Sequence, residues 1–219
     1  MRGRSRNAAA APLTLLLAAC AAVGAPTDPP STPTFGVSSG RPLPTEAPLD
    51  AVAVGIGESE YTVEGDTPAE LAAAMTARGL RDYTGHEVTA LTAWYISWDY
   101  RYGGIGQCRI ESPTVRADID LVFPAWPGSA TATADTRAAW QRYLAALRVH
   151  ESGHVAFAVA GANDVMKSLR AQPPQQTCDR LEAAADAEGE RILDRIRAED
   201  VRYDEETGHG ATQGVVLPP

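Results

Sequence analysis

The 219-residue chain is short of positive charge, with 19 basic residues against 28 acidic ones and a net of −9. That deficit argues against nucleic acid or an anionic membrane face as partner, since both call for a basic footprint. The chain has no internal repeat, which sets aside solenoids and propellers. Its apolar run, residues 8–19, is too short for a membrane-spanning helix. Only three cysteines occur, Cys20, Cys108 and Cys178, and none stands in a Cys-x-x-Cys pair, so a thiolate zinc site is disfavoured. Histidine is as scarce, confined to His86, His150, His154 and His209.

The beginning of the chain reads as an address. Arg2, Arg4 and Arg6 precede the apolar run, and Leu17-Ala18-Ala19-Cys20 closes it in the manner of a bacterial lipobox. Residues 1–19 are therefore expected to be a lipoprotein signal peptide, with Cys20 lipidated and the protein exported to the cell envelope. Such an anchor tethers without spanning. Residues 20–50 hold the lipidated cysteine and seven prolines among Ser, Thr and Gly, the composition of a semi-extended linker. Without its leader the chain carries 16 basic and 28 acidic residues, a net of −12.

Residues 51–219 suit one domain. Two short strands are expected at 51–56 and 61–64. Thr67-Pro68-Ala69-Glu70 is a capping box with proline at the first helical position, so a helix runs to Arg78 and ends at Gly79. Thr92, Trp94, Ile96, Trp98 and Tyr100 alternate as one face of a long strand, and Val115, Ala117, Ile119, Leu121 and Phe123 as its partner across Gly103-Gly104. A helix follows over 135–169, capped by Asp135, then Pro173-Pro174, then a helix over 178–199 burying Leu181, Ala185, Ile192 and Ile196. The fold class expected is α+β: a small antiparallel sheet packed on the two long helices. In an exported chain Cys108 and Cys178 read as a disulfide, worth about 4 kcal/mol for a 70-residue loop on the chain-entropy model.

The chemistry lies in His150-Glu151-Ser152-Gly153-His154. Residues four apart share a helix face, so both imidazoles can bind one metal. Zinc lowers the pKa of a water towards about 7, and a carboxylate beside it can take up the proton; Glu151 is placed for that task. Trp140, Tyr143, Leu144 and Leu147 form an apolar stripe that continues through His150, Glu151 and His154 to Ala158 and Val165. Burying three polar residues unpaired costs several kcal/mol, so a metal is the simplest occupant. Gly153 costs the helix about 1 kcal/mol relative to Ala; either it lets another backbone approach closely or it has no role. Glycine and histidine are absent from positions 157 and 160, which hold Phe157 and Ala160, and this excludes the elongated metzincin pattern.

A catalytic zinc needs a third protein ligand. Glu182, Glu188 and Glu190 of the last helix are candidates, and so is the segment Tyr203-Asp204-Glu205-Glu206-Thr207-Gly208-His209-Gly210. With the motif helix and the Trp-rich strand, this segment and its continuation Ala211-Thr212-Gln213-Gly214 resemble a bacterial family of predicted secreted zinc-dependent proteases, over residues 58–217. The resemblance implies a zincin-like fold, and it implies that His209 is the third ligand of one zinc ion per chain. Asp204 is then a candidate to orient a ligand imidazole, and Tyr203 to donate to a developing oxyanion. His86 reads as surface. The function expected is a membrane-anchored zinc metallopeptidase acting on a peptide or protein substrate, with Glu151 as general base. Its rivals are a non-catalytic zinc-binding envelope module and a metal-free scaffold on a stalk.

Overall fold

The computed structural model describes residues 2–4 and 52–218. Cys20, most of the leader and the proline-rich linker lie outside the described residues. Among the described residues no helix is long and apolar enough to cross a membrane.

The elements are β1 (Arg2–Arg4), β2 (Val52–Thr62), α1 (Pro68–Arg78), β3 (Leu91–Gly103), β4 (Arg109–Ala125), α2 (Ala134–Ala171) and α3 (Cys178–Thr207), with short 3-10 turns at Pro127–Ala130 and Ala211–Gln213. The sheet runs β1-β3-β4-β2. β3 and β4 form the expected antiparallel pair, with Trp94 opposite Ile119 and Trp98 opposite Val115. The backbone of β1 lies antiparallel along the outer edge of β3. The fold is α+β.

Local chemistry explains most boundaries. In α1 the Thr67 hydroxyl accepts from the Glu70 N–H at 3.2 Å, and the Glu70 carboxylate accepts from the Thr67 N–H at 3.1 Å. Gly79, at φ 67°, closes the helix.

Four features differ from expectation. β2 is one strand rather than two: Gly57 and the polar residues after it break the alternation, yet they pair with β4 from Asp120 onward. An edge strand with one exposed face tolerates such residues. β2 also runs parallel to β4, so the sheet is mixed; α1 and β3 intervene between them, ample chain for a crossover. Thr133, not Asp135, caps α2, its hydroxyl accepting from the Thr136 N–H at 3.2 Å. Asp135 sits in the first turn, where its charge favours the helix dipole. Finally, α3 runs past residue 199 to Thr207, where Gly208 caps it in the left-handed region.

α2 and α3 form a helical hairpin, with Gly161 against Ile196 and Gly153 against Tyr203. Cys108 and Cys178 are joined, S–S 2.03 Å, which ties the start of β4 to the first residue of α3. Reciprocal backbone bonds of 2.8 Å between Cys108 and Gln175 flank the bridge.

The core divides in two. One part gathers Leu71, Phe123 and Trp126 around Trp140, Tyr143 and Leu147 of α2. The other gathers Ile96, Trp98, Val115 and Leu193 around Ala162, Val165 and Leu169 of α2. Between those two stretches of α2 lie His150, Glu151 and His154.

Candidate metal centre

All three of these motif residues are buried, 4 to 9 % exposed, as the stripe requires. Every ring nitrogen of the two histidines faces an oxygen. His150 Nδ1 meets Gln213 Oε1 at 2.9 Å, and His154 Nδ1 meets Asp200 Oδ1 at 3.0 Å. Both partners can accept a proton held on Nδ1, and each Nε2 points the other way. The two Nε2 atoms converge on one oxygen, Asp204 Oδ1, at 3.1 Å from His150 and 3.0 Å from His154. Ligand atoms of His150, His154 and Asp204 all lie within 4.8 Å of one another.

Three electron-rich atoms so placed repel one another unless a proton or another cation lies among them. Burial would depress the His154 pKa, but the Asp200 and Asp204 carboxylates on its two nitrogens push it up to about 10. Burial likewise opposes the charge on Asp204, yet hydrogen bonds from His150 and His154 hold its carboxyl well below the usual carboxylate range. The residues also fit a dication. Ligand atoms of a tetrahedral zinc with bonds of about 2.0–2.1 Å stand roughly 3.3 Å apart, close to the separations seen. The outer partners Asp200 and Gln213 hold the rings as ligand imidazoles are commonly held.

β3 supplies the remaining support. Thr92 Oγ1 donates to Glu151 Oε2 at 2.7 Å, and Trp94 Nε1 donates to Asp200 Oδ2 at 2.7 Å. Burial raises the Glu151 pKa, while the Thr92 hydroxyl and the two histidines pull it partly back. Tyr203 explains Gly153. Its ring stacks on His150, centroids 5.0 Å apart, and a Cβ on Gly153 would stand 2.5 Å from that ring. The Tyr203 hydroxyl donates to the His150 carbonyl oxygen at 3.2 Å and accepts from Gln213 Nε2 at 3.0 Å. It is thus engaged with the His150 carbonyl and Gln213, and Tyr203 is not among the residues that line the cleft.

A cleft of about 520 Å³ opens over Glu151, His150 and His154. Its far wall is the segment between α1 and β3. Tyr61 Oη donates to the Thr89 carbonyl oxygen at 2.7 Å, Tyr143 Oη meets Thr89 Oγ1 at 2.6 Å, and Tyr83 Oη donates to the Arg197 carbonyl oxygen at 2.9 Å.

The structure does not group His209 with His150 and His154. Its Nδ1 lies 3.7 Å from the other oxygen of Asp204, and its ring stacks on exposed His86 at 4.0 Å. Glu182 accepts from Tyr102 Oη at 2.8 Å and Glu188 pairs with Arg191; neither of them, nor Glu190, lines the cleft. Asp204, rather than His209, is the residue grouped with His150 and His154, and Asp200 bonds the outer nitrogen of His154. Sequence reading missed Asp200, though a signal existed: Ile192 and Ile196 are followed at the same spacing of four by Asp200 and Asp204. Nothing in the local pattern marks Gln213.

Residues 58–210 match the family described as bacterial protein of unknown function (DUF922), and the chain belongs to that family. No curated protein and no solved structure matches it.

Proposed function

We propose that this family member is an exported, lipid-anchored zinc peptidase in which His150, His154 and Asp204 hold one ion and Glu151 is the general base. The observation that carries the reading is the convergence of His150 Nε2 and His154 Nε2 on Asp204 Oδ1, at 3.1 and 3.0 Å, beside a buried glutamate. Zinc bound there would supply Lewis acidity towards a peptide carbonyl and lower the pKa of water.

The chain's own residues do the rest. Glu151 takes up a proton from water and returns it to the leaving amine; its raised proton affinity suits a group that must do both. Thr92 anchors Glu151 through Oε2, and Asp200 and Gln213 fix the two imidazoles. Leu147, Val215 and Leu217 line the cleft, and their apolar surface favours a substrate side chain over water. Export and anchoring rest on the leader and on Leu17-Ala18-Ala19-Cys20.

Purified wild type and Glu151→Gln should carry equal zinc, while the variant cleaves a peptide library at least about a hundredfold more slowly. Equal cleavage rates would remove Glu151 from its role. Stoichiometric zinc with no cleavage of peptides or envelope proteins by wild type would favour a non-catalytic zinc module instead.

A further inference from the structure

We propose a second divalent-cation site next to the first, formed by Asp82, His209 and the far oxygen of Asp204, so that the Asp204 carboxylate bridges two ions. The inference rests on the reading that His150, His154 and Asp204 hold one ion. Ligand atoms of Asp82, Asp204 and His209 lie within 4.8 Å of one another, as those of the first set do. Asp204 divides its oxygens between the two sets: Oδ1 faces His150 and His154, and Oδ2 faces His209.

The gap between Asp204 Oδ2 and His209 Nδ1 is 3.7 Å, too long for a hydrogen bond. That nitrogen is shielded from solvent and has no hydrogen-bond partner. Buried polar atoms are rarely left so, and the spacing is that of two ligands on one ion with bonds of about 2.0–2.2 Å.

Both flanking segments are shaped to hold these groups. Gly208, His209 and Gly210 have φ of 57°, 51° and 82°, and a histidine in that region is under backbone strain. The His209 N–H donates to the Asp204 carbonyl oxygen at 2.8 Å, and the Gly210 N–H to Thr207 Oγ1 at 3.2 Å, which sets the turn. On the other side, Asp82 Oδ1 accepts from the N–H groups of Thr84 and His86 at 2.8 and 2.9 Å and from the Thr84 hydroxyl at 2.7 Å. The same turn lays the His86 ring against His209, interplanar angle 4°. Two carboxylates and one imidazole suit zinc or manganese, and a shared carboxylate sets two ions about 3.5–4 Å apart. Asp82, Asp204 and His209 all line the cleft, so the site is open to substrate.

The test is metal counting by mass spectrometry together with zinc titration calorimetry on purified protein. Wild type should bind two zinc ions in two steps. Asp82→Asn, which keeps the turn's acceptor, and His209→Gln should each lose or weaken by at least about tenfold only the second step. Asp204→Ala should lose both. One ion in wild type, unchanged in Asp82→Asn and His209→Gln, would overturn the second site and leave the first standing. Loss of the first ion in His209→Gln would also overturn it, by making His209 a ligand of a single centre. No ion in wild type would overturn this inference and the peptidase reading together.

Discussion

Replacing Gly153 by alanine sets two opposed effects against each other, and the structure says which prevails. Mid-helix, alanine is better than glycine by about 1 kcal/mol. A Cβ here would stand 2.5 Å from Tyr203 Cζ and Oη, roughly 1 Å inside the ordinary carbon contact of about 3.5–4.0 Å. The ring cannot yield easily: it is stacked on His150 and held edge-on by His154 at 5.1 Å and Phe157 at 5.5 Å. Overpacking of that kind costs about 1–3 kcal/mol. Gly153→Ala should therefore destabilise by about 0–2 kcal/mol net, or up to about 8 °C in Tm for a domain of this size. It should also weaken zinc binding, since Tyr203 adjoins Asp204 on α3.

In a Tyr203→Ala background the obstruction is gone, and the same substitution should stabilise by about 1 kcal/mol. Thermal melts of the four proteins of this cycle, run with chelator, separate packing from metal binding. A Gly153→Ala effect of the same sign and size in both backgrounds would refute the steric account of this glycine.

Asp200→Asn, which cannot hold His154 and Trp94 as a carboxylate does, should weaken zinc binding about 10- to 100-fold with the fold intact; unchanged affinity would remove Asp200 as the orienting group. Asp186 is a pH probe outside the site: burial raises its pKa, and the Trp98 Nε1–H bond only partly reverses this. A raised folded pKa means full stability below the ordinary value of 3.8, lost as pH rises through the folded value. Asp186→Asn, which still accepts from Trp98, should thus raise Tm at neutral pH and not below that value; equal melts at neutral pH would refute it. Replacing Cys108 and Cys178 by serine should cost about 4 kcal/mol for the 70-residue loop, read from denaturant unfolding with and without reductant.

Periodicity made the fold legible where packing is one-sided. The alternation in β3 and β4 and the stripe on α2 each reflect a single buried face, the capping box of α1 reflects local hydrogen bonds, and each is found in place. β2 was less readable because an edge strand accepts glycine and charge that resemble a turn. Its parallel direction is a consequence of chain routing, which local pattern does not encode. The C-terminal reach of α3 was hidden for a different reason. Asp200, Tyr203 and Asp204 look like a polar segment beyond the helix, because their partners lie some 50 residues away in the chain, on α2.

The two long helices pose the same problem and solve it jointly. On α2 the buried stripe turns from Leu147 to His150 and His154; on α3 it turns from Ile196 to Asp200, with half-buried Asp204 one turn beyond. Each substitution of polar for apolar would be costly alone, since a buried imidazole or carboxylate without a partner loses its hydration uncompensated. Because the helices run against each other, both interruptions fall at one level of the hairpin, where the apolar core divides in two. Nitrogen meets oxygen there at 3.0–3.1 Å, a pairing that the proposed cation would complete. A fold that needed only stability could have continued both apolar stripes and joined the two cores. Buried His150, His154 and Asp200, with half-buried Asp204 beside them, are what the proposed metal centre would account for.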